Sequence, residues 1–202
     1  MNIKALIISS LLLAPVAVVC GQKMKVRSGD LDFLKSQKKL NIEYDYSNMG
    51  VGKFEKEEDY VNEKVAKLNK KEVGSGDKWK KNWIADRNER FEPKFEELFN
   101  KNLEKYNLVG GDFDGTEYTL ILKTTFTEPG FNVGVVRKNA YTDLEAVFVK
   151  TGTTDPVAVV TIENSPGRGG MGYDFDTGYR IQESYAKAGK ELGQYLAKKV
   201  LK

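Results

Sequence analysis

Hydrophobic positions along the chain follow two periods, in blocks. Leu40, Ile42, Tyr44 and Tyr46 alternate with Asn41, Glu43 and Asp45, which predicts a strand over 39–47. Gly50-Val51-Gly52 ends it. Over 55–72 the spacing lengthens, and Val61, Val65 and Leu68 share one face of a helix otherwise made of Lys and Glu. Gly74-Ser75-Gly76 breaks this helix. A longer one is predicted from Asp77 to Tyr106, with Trp79, Trp83, Phe91, Phe95, Leu98, Phe99 and Leu103 along its stripe. Pro93 falls inside it. A proline there removes one backbone hydrogen bond, so a kink or a split is expected.

After Gly110-Gly111 the period returns to two. Tyr118, Leu120, Leu122, Thr124 and Phe126 alternate, as do Leu144, Ala146 and Phe148 within 141–150. Pro156 to Ile162 reads as the next strand. These three strands lie at hairpin spacing, with 133–137 as an extension of the sheet edge. From Thr177 a last helix carries Ile181, Tyr185, Ala188, Leu192, Leu196 and Val200 on one face, capped by Asp176 or Thr177. Residues 22–38 are polar, without a sustained period, and read as an N-terminal arm with one short helical turn.

Helical and strand runs are segregated, so the expected class is α+β: a mostly antiparallel sheet of about four strands with helices packed on one face, in the order β-α-α-β-β-β-α. The first strand, reached by a long crossover, is expected beside the meander in parallel. The expected division is a leader over 1–21, the arm over 22–38 and one α+β domain over 39–202.

The start of the chain supplies an address. Lys4 is followed by an almost wholly apolar run from Ala5 to Val19, then Val19-Cys20-Gly21, before the chain turns polar at Gln22. This is the layout of a bacterial secretory signal peptide and implies a periplasmic or secreted protein. Cleavage after Gly21 suits the small-residue rule. Acylation of Cys20, the alternative, would make the protein a membrane-anchored lipoprotein.

Composition narrows the chemistry. The chain has no His, and its one cysteine is Cys20. Imidazole bases, thiol nucleophiles, disulfides and His/Cys metal sites are therefore missing from a chain cut after Gly21. Asp, Glu, Lys, Tyr and Arg remain, so a carboxylate pair of the glycosidase kind stays open. Loss of Lys4 with the leader takes Lys plus Arg from 32 to 31, against 29 acidic residues. That balance, mixed along the chain, favours neither nucleic acid nor an acidic membrane.

Gly167, Gly169 and Gly172 match G-x-G-x-x-G, but no strand follows the helix after them, so the reading is a glycine loop and no nucleotide cofactor is expected. Asp112 and Asp114, like Asp174 and Asp176, sit two apart near glycine; both lack the further ligands of a calcium loop, and no metal site is expected. Lys78 to Trp83 interleaves aromatic and basic residues. Trp79 and Trp83 fit either the helix stripe or a ligand surface, and Arg87, one turn on, needs a carboxylate or an aromatic face. These three are the candidate binding residues; no catalytic residue is assigned. Glu89, Glu92, Glu96 and Glu97 offer carboxylate neighbours that read as a solvated face, and Tyr44, Tyr46, Tyr118, Tyr141, Tyr173 and Tyr179 suit either a ligand groove or half-buried sheet positions.

The element order and the closing segment YAKAGKELGQYLAKKV resemble small envelope domains such as the amino-terminal domain of TolB and the core of CsgG, over roughly residues 39–200. The stretches LNIEYDYSNMGVGKF and RFEPKFEELFNKNL are similar to a set of uncharacterised secreted bacterial proteins. Neither resemblance implies a catalytic residue. The expectation is a non-enzymatic cell-envelope binding or interaction module whose partner is an envelope protein or a glycan. Nucleic acid is not expected, and a membrane only through a lipid on Cys20. The alternatives are a carboxylate-based hydrolase acting on glycan or cell-wall material, and a structural subunit that forms a homo-oligomer through a sheet edge.

Overall fold

The computed structural model describes residues 22–133, 136–167 and 176–202. The leader of 1–21 and most of the glycine loop, with Asp174, lie outside the described residues. The strands are β1 (Lys23–Gly29), β2 (Lys39–Asp45), β3 (Gly50–Val51), β4 (Val109–Gly111), β5 (Tyr118–Glu128), β6 (Phe131–Val133), β7 (Val136–Lys138), β8 (Ala140–Lys150) and β9 (Pro156–Gly167). The helices are α1 (Glu57–Asn69), α2 (Ser75–Asp86), α3 (Glu92–Leu103) and α4 (Thr177–Lys199).

The class is α+β, as expected, but the sheet is larger and more mixed than expected. It has seven strands, in the order β1-β9-β8-β5-β2-β4, with β3 also pairing β5. β5, β8 and β9 form the antiparallel meander. β2 runs parallel to both β4 and β5, and β3 is parallel to β5. Four strands were expected because the remaining three leave little pattern. β3 and β4 are two and three residues long, too short to show a period. β4 is held from outside its own sequence: the Asn100 side chain donates to the Gly110 carbonyl and accepts from its N–H, both at 2.8 Å. β1 arises from the segment expected as an arm, and it pairs antiparallel with β9. Only Met24 and Val26 mark its inner face, between Lys23, Lys25 and Arg27. The arm's expected helical turn is present as a 3-10 turn over Asp32–Ser36. The 133–137 segment does not extend the main sheet; β6 and β7 pair with each other in a separate ribbon.

One sheet face carries Leu40, Ile42, Leu120, Leu122, Ala146, Phe148, Val160 and Ile162, all buried in the core with the inner faces of α3 and α4. The opposite face is mixed: Asp45, Lys123 and Glu145 alternate in sign across two neighbouring pairs, Thr161 and Lys25 continue that row, and Ile121, Val147 and Val159 form an apolar row beside it. Every residue expected on the inner stripe of α4 is buried. α3 and α4 approach unusually closely because Gly189 and Gly193 lie against α3. A Cβ at Gly189 would stand 2.2 Å from the Phe95 carbonyl oxygen, and one at Gly193 would stand 2.7 Å from that of Phe99.

The expected disturbance at Pro93 takes a definite form. Residues Arg87–Phe91 make a π-helical turn, and the Glu92 N–H bonds back five residues to the Arg87 carbonyl. Pro93 then stands in the first turn of α3, where a missing N–H costs least. The extra residue of the π turn absorbs the step that proline imposes, and it turns Arg87 toward the end of β2.

Candidate functional site

The C-terminal end of β2 opens into two adjoining concavities, of about 840 and 880 Å³, that share Tyr44, Tyr46 and Arg87. The first continues along the 45–49 turn and the start of α1. The second runs along α2 and the π turn past Lys80, Lys81, Ile84 and Asn88 to Glu92. Together they form one groove, with the strand end as its floor and the helices as its walls.

Its floor is built from few contacts. Arg87 places its guanidinium 4.4 Å from the centre of the Tyr46 ring and bonds both carboxylate oxygens of Glu57, at 2.5 and 2.6 Å. Glu57 also accepts from the Trp83 indole N–H at 2.5 Å. The Arg87 and Glu57 side chains are only 20% and 18% exposed, so the pair is held largely out of water. Arg87 thus meets both a carboxylate and an aromatic face, the two needs its place on the helix stripe implied.

Trp79 and Trp83 stack on each other at 5.5 Å between ring centres, and Tyr60 of α1 closes over both, at 5.9 and 5.3 Å. Burial raises the Tyr60 phenol to about 12. Trp83 is buried, whereas Trp79 is half-buried under Lys64. Of the three candidate binding residues, only Arg87 reaches the open groove. The tryptophans join α1 to α2 and fix the wall behind it.

A second polar chain rises from the core. Thr124 and Tyr185 share a hydrogen bond of 2.6 Å in the buried interior. The Tyr185 and Tyr46 hydroxyls pair, and Tyr46 donates to Glu92 at 3.2 Å. Tyr44 donates to Glu96 at 3.0 Å. Burial raises both the Tyr44 and Tyr46 phenols, with the neighbouring carboxylates adding to it. Burial likewise raises Glu92 and Glu96 above the ordinary carboxylate range, against the lowering effect of the tyrosine hydrogen bonds. These two glutamates, expected on a solvated face, are half-buried because the π turn rotates α3 toward β2.

Glu57, Tyr60 and Tyr185 are the site residues that sequence reasoning missed. Glu57 and Trp83 stand 26 positions apart, and the Arg87 contact spans 30. No local period couples such residues. Tyr185 was legible as core, but its hydroxyl's partners come from β5 and from the residue just past β2.

No group of three or more metal-ligating side chains occurs among the described residues, and no helix among them is long and apolar enough to cross a membrane. The chain matches no family model and no curated protein. Among solved structures it is similar to the PelC dodecamer from Paraburkholderia phytofirmans, at a TM-score of 0.42 and 10% identity, covering 88% of this chain and 98% of that one. A dodecamer of a PelC variant from the same organism gives 0.37 and 7%, over 84% and 99%. These likenesses are loose, and the functional reading rests on the chain's own residues.

Proposed function

We propose that this protein is a non-enzymatic cell-envelope module that binds a glycan in the groove at the end of β2. The observation that carries this reading is the preorganised floor. Tyr46 and Arg87 are exposed to the groove on one side and locked on the other by Glu57, Trp83 and Tyr185. Aromatic and planar polar groups held by a rigid second layer suit a ligand rich in hydroxyls, because little side-chain freedom is lost on binding. The leader pattern of 1–21 and the resemblance to envelope domains support the address. The test is titration of soluble, enzymatically released peptidoglycan fragments into the exported protein, followed by calorimetry and tryptophan emission. Saturable binding that weakens at least tenfold in Tyr46→Ser, at an unchanged far-UV spectrum, supports the reading. Absence of a titration, or equal affinity in the variant, overturns it.

One observation favours a second reading. Glu92 and Glu96 lie one turn apart on α3, both raised by burial, and each receives a tyrosine hydroxyl. A protonated carboxyl beside an ionised one is the arrangement a carboxylate-based hydrolase needs. Release of reducing ends from the same fragments, abolished in Glu92→Gln while binding survives, would select this reading over simple binding.

The structural-subunit alternative needs a free sheet edge. β1 forms one, but it carries Lys23, Lys25 and Arg27 and a register shift between Val26 and Ser28. Charged side chains and bulges are the devices that block edge-to-edge pairing, so this edge does not favour a homo-oligomer.

A further inference from the structure

The free end of the α1–α2 hairpin has a chemistry unlike the rest of the surface. From residue 64 to residue 81 the chain carries seven lysines and two acids, Glu72 and Asp77. The hairpin folds antiparallel: Gly76 lies against Val65 and Asn69, and Trp79 lies against Tyr60 and Lys64. Lys64, Lys67, Lys70, Lys71 and Lys78 are thereby gathered around one tip.

Neither local acid neutralises them. Asp77 accepts from the Asn69 amide at 3.3 Å. Some lysines elsewhere do find carboxylates, as in Lys94–Glu97 and Lys187–Glu191, both at 2.6 Å. Among the described residues no ion pair joins Lys67, Lys70, Lys71 or Lys78 to an acid. The Lys64 ammonium is held below its ordinary value by burial and then by Lys67 and Lys71, which reports like charges crowded together. At the apex Val73 is 96% exposed, the most exposed large hydrophobic among the described residues.

We propose that this tip docks the protein on an anionic lipid bilayer, with the lysines on the headgroups and Val73 entering the interface. Charge complementarity selects an anionic partner. The shape selects a surface over a soluble polymer, because the tip is convex and its apex is apolar, whereas a glycan or nucleotide chain is held in a groove. The whole-chain balance hid this contact: acids that offset these lysines, Glu57, Glu58 and Asp59, sit in the first turn of α1, at the far end of the helix. This inference is independent of the glycan reading, since the tip and the groove floor share no residue.

The test is vesicle co-sedimentation of the exported protein, with every variant carrying the same N-terminus so that any lipid on Cys20 contributes equally. Vesicles of phosphatidylcholine alone are compared with vesicles holding 30 mol% phosphatidylglycerol. Each lysine near such a surface contributes about fivefold, so Lys67→Gln/Lys71→Gln/Lys78→Gln should lose roughly a hundredfold of the phosphatidylglycerol-dependent binding. Raising the salt to 1 M should remove most of it, as the screening length falls to about 3 Å. Val73→Asp, which touches no lysine, should weaken binding at low salt. A control on α4, Lys190→Gln/Lys198→Gln/Lys199→Gln, should bind as the wild type does. Equal sedimentation with both vesicle types, or equal loss in the tip and control variants, overturns the proposal. Retention on heparin without vesicle binding also overturns it and assigns the tip to a soluble polyanion.

Discussion

The molecule contains two helix pairs, α3–α4 parallel and α1–α2 antiparallel, built on opposite principles. α3 and α4 are joined mainly by close apolar packing: Phe95 and Phe99 lie over Gly189 and Gly193, and Leu192 and Leu196 fill the space above the sheet. α1 and α2 are joined by an aromatic stack with a shared carboxylate, Glu57, at its base, and their far end is open and basic. Glycine contacts and leucines specify a distance and nothing else. The Glu57 clamp specifies directions, holding Arg87 over Tyr46 where the groove begins. One pair stores stability, and the other presents chemistry.

If that division is right, substitutions in the two pairs should separate stability from binding. The largest loss is expected at Leu192→Ala, which empties a fully buried site on α4 and should cost about 2–5 kcal/mol in urea unfolding. Gly189→Ala should follow at about 1–3 kcal/mol. Its new methyl meets backbone that cannot move without shifting all of α3. A wild-type urea midpoint in Gly189→Ala would mean that the close approach is not a packing constraint.

On the other pair, Arg87→Ala should cost about 1.5–3 kcal/mol, the range for hydrogen bonds to charged groups, and leave Glu57 half-satisfied. Its effect on fragment binding should exceed its effect on stability, the reverse of Leu192→Ala. Smaller still is a pH effect. Glu96 ionises in the folded state at a pH above its ordinary 4.5, so below 4.5 it costs nothing. Between 4.5 and that raised value the folded state binds more protons than the unfolded one, and stability falls as pH rises. Glu96→Gln should flatten this slope and leave stability at pH 4 nearly unchanged. A steeper slope in the variant would show that ionised Glu96 is stabilising. The smallest change is expected at Lys78→Gln on the exposed tip, within roughly 0.5 kcal/mol.

The same contrast explains what could be read from the sequence. The α3–α4 pair was legible, because its faces repeat with the helical period and its leucines and phenylalanines have no competing role. The meander was legible for the same reason, with a period of two. Arg87 was legible as an anomaly, a cation on an apolar stripe, and its needs named the kind of partner though not Glu57 itself. β1 was not legible, because an edge strand protected by Lys23, Lys25 and Arg27 reads as a polar arm. Pro93 announced a break, but its form as a π turn, and the burial of Glu92 and Glu96 that follows, depends on how α3 meets β2. The lysine tip was diluted by averaging charge over the whole chain.

The groove floored by Tyr44, Tyr46 and Arg87 is the proposed glycan site. Asn88 is exposed and lines that groove without taking part in the clamp. The most direct measurement is calorimetric titration of soluble peptidoglycan fragments into the wild type and Asn88→Trp, with urea midpoints recorded for both. The wild type should bind saturably and Asn88→Trp at least tenfold more weakly at an unchanged midpoint, because the indole occupies the groove. Equal affinity in the two proteins, or no binding to the wild type, would contradict it.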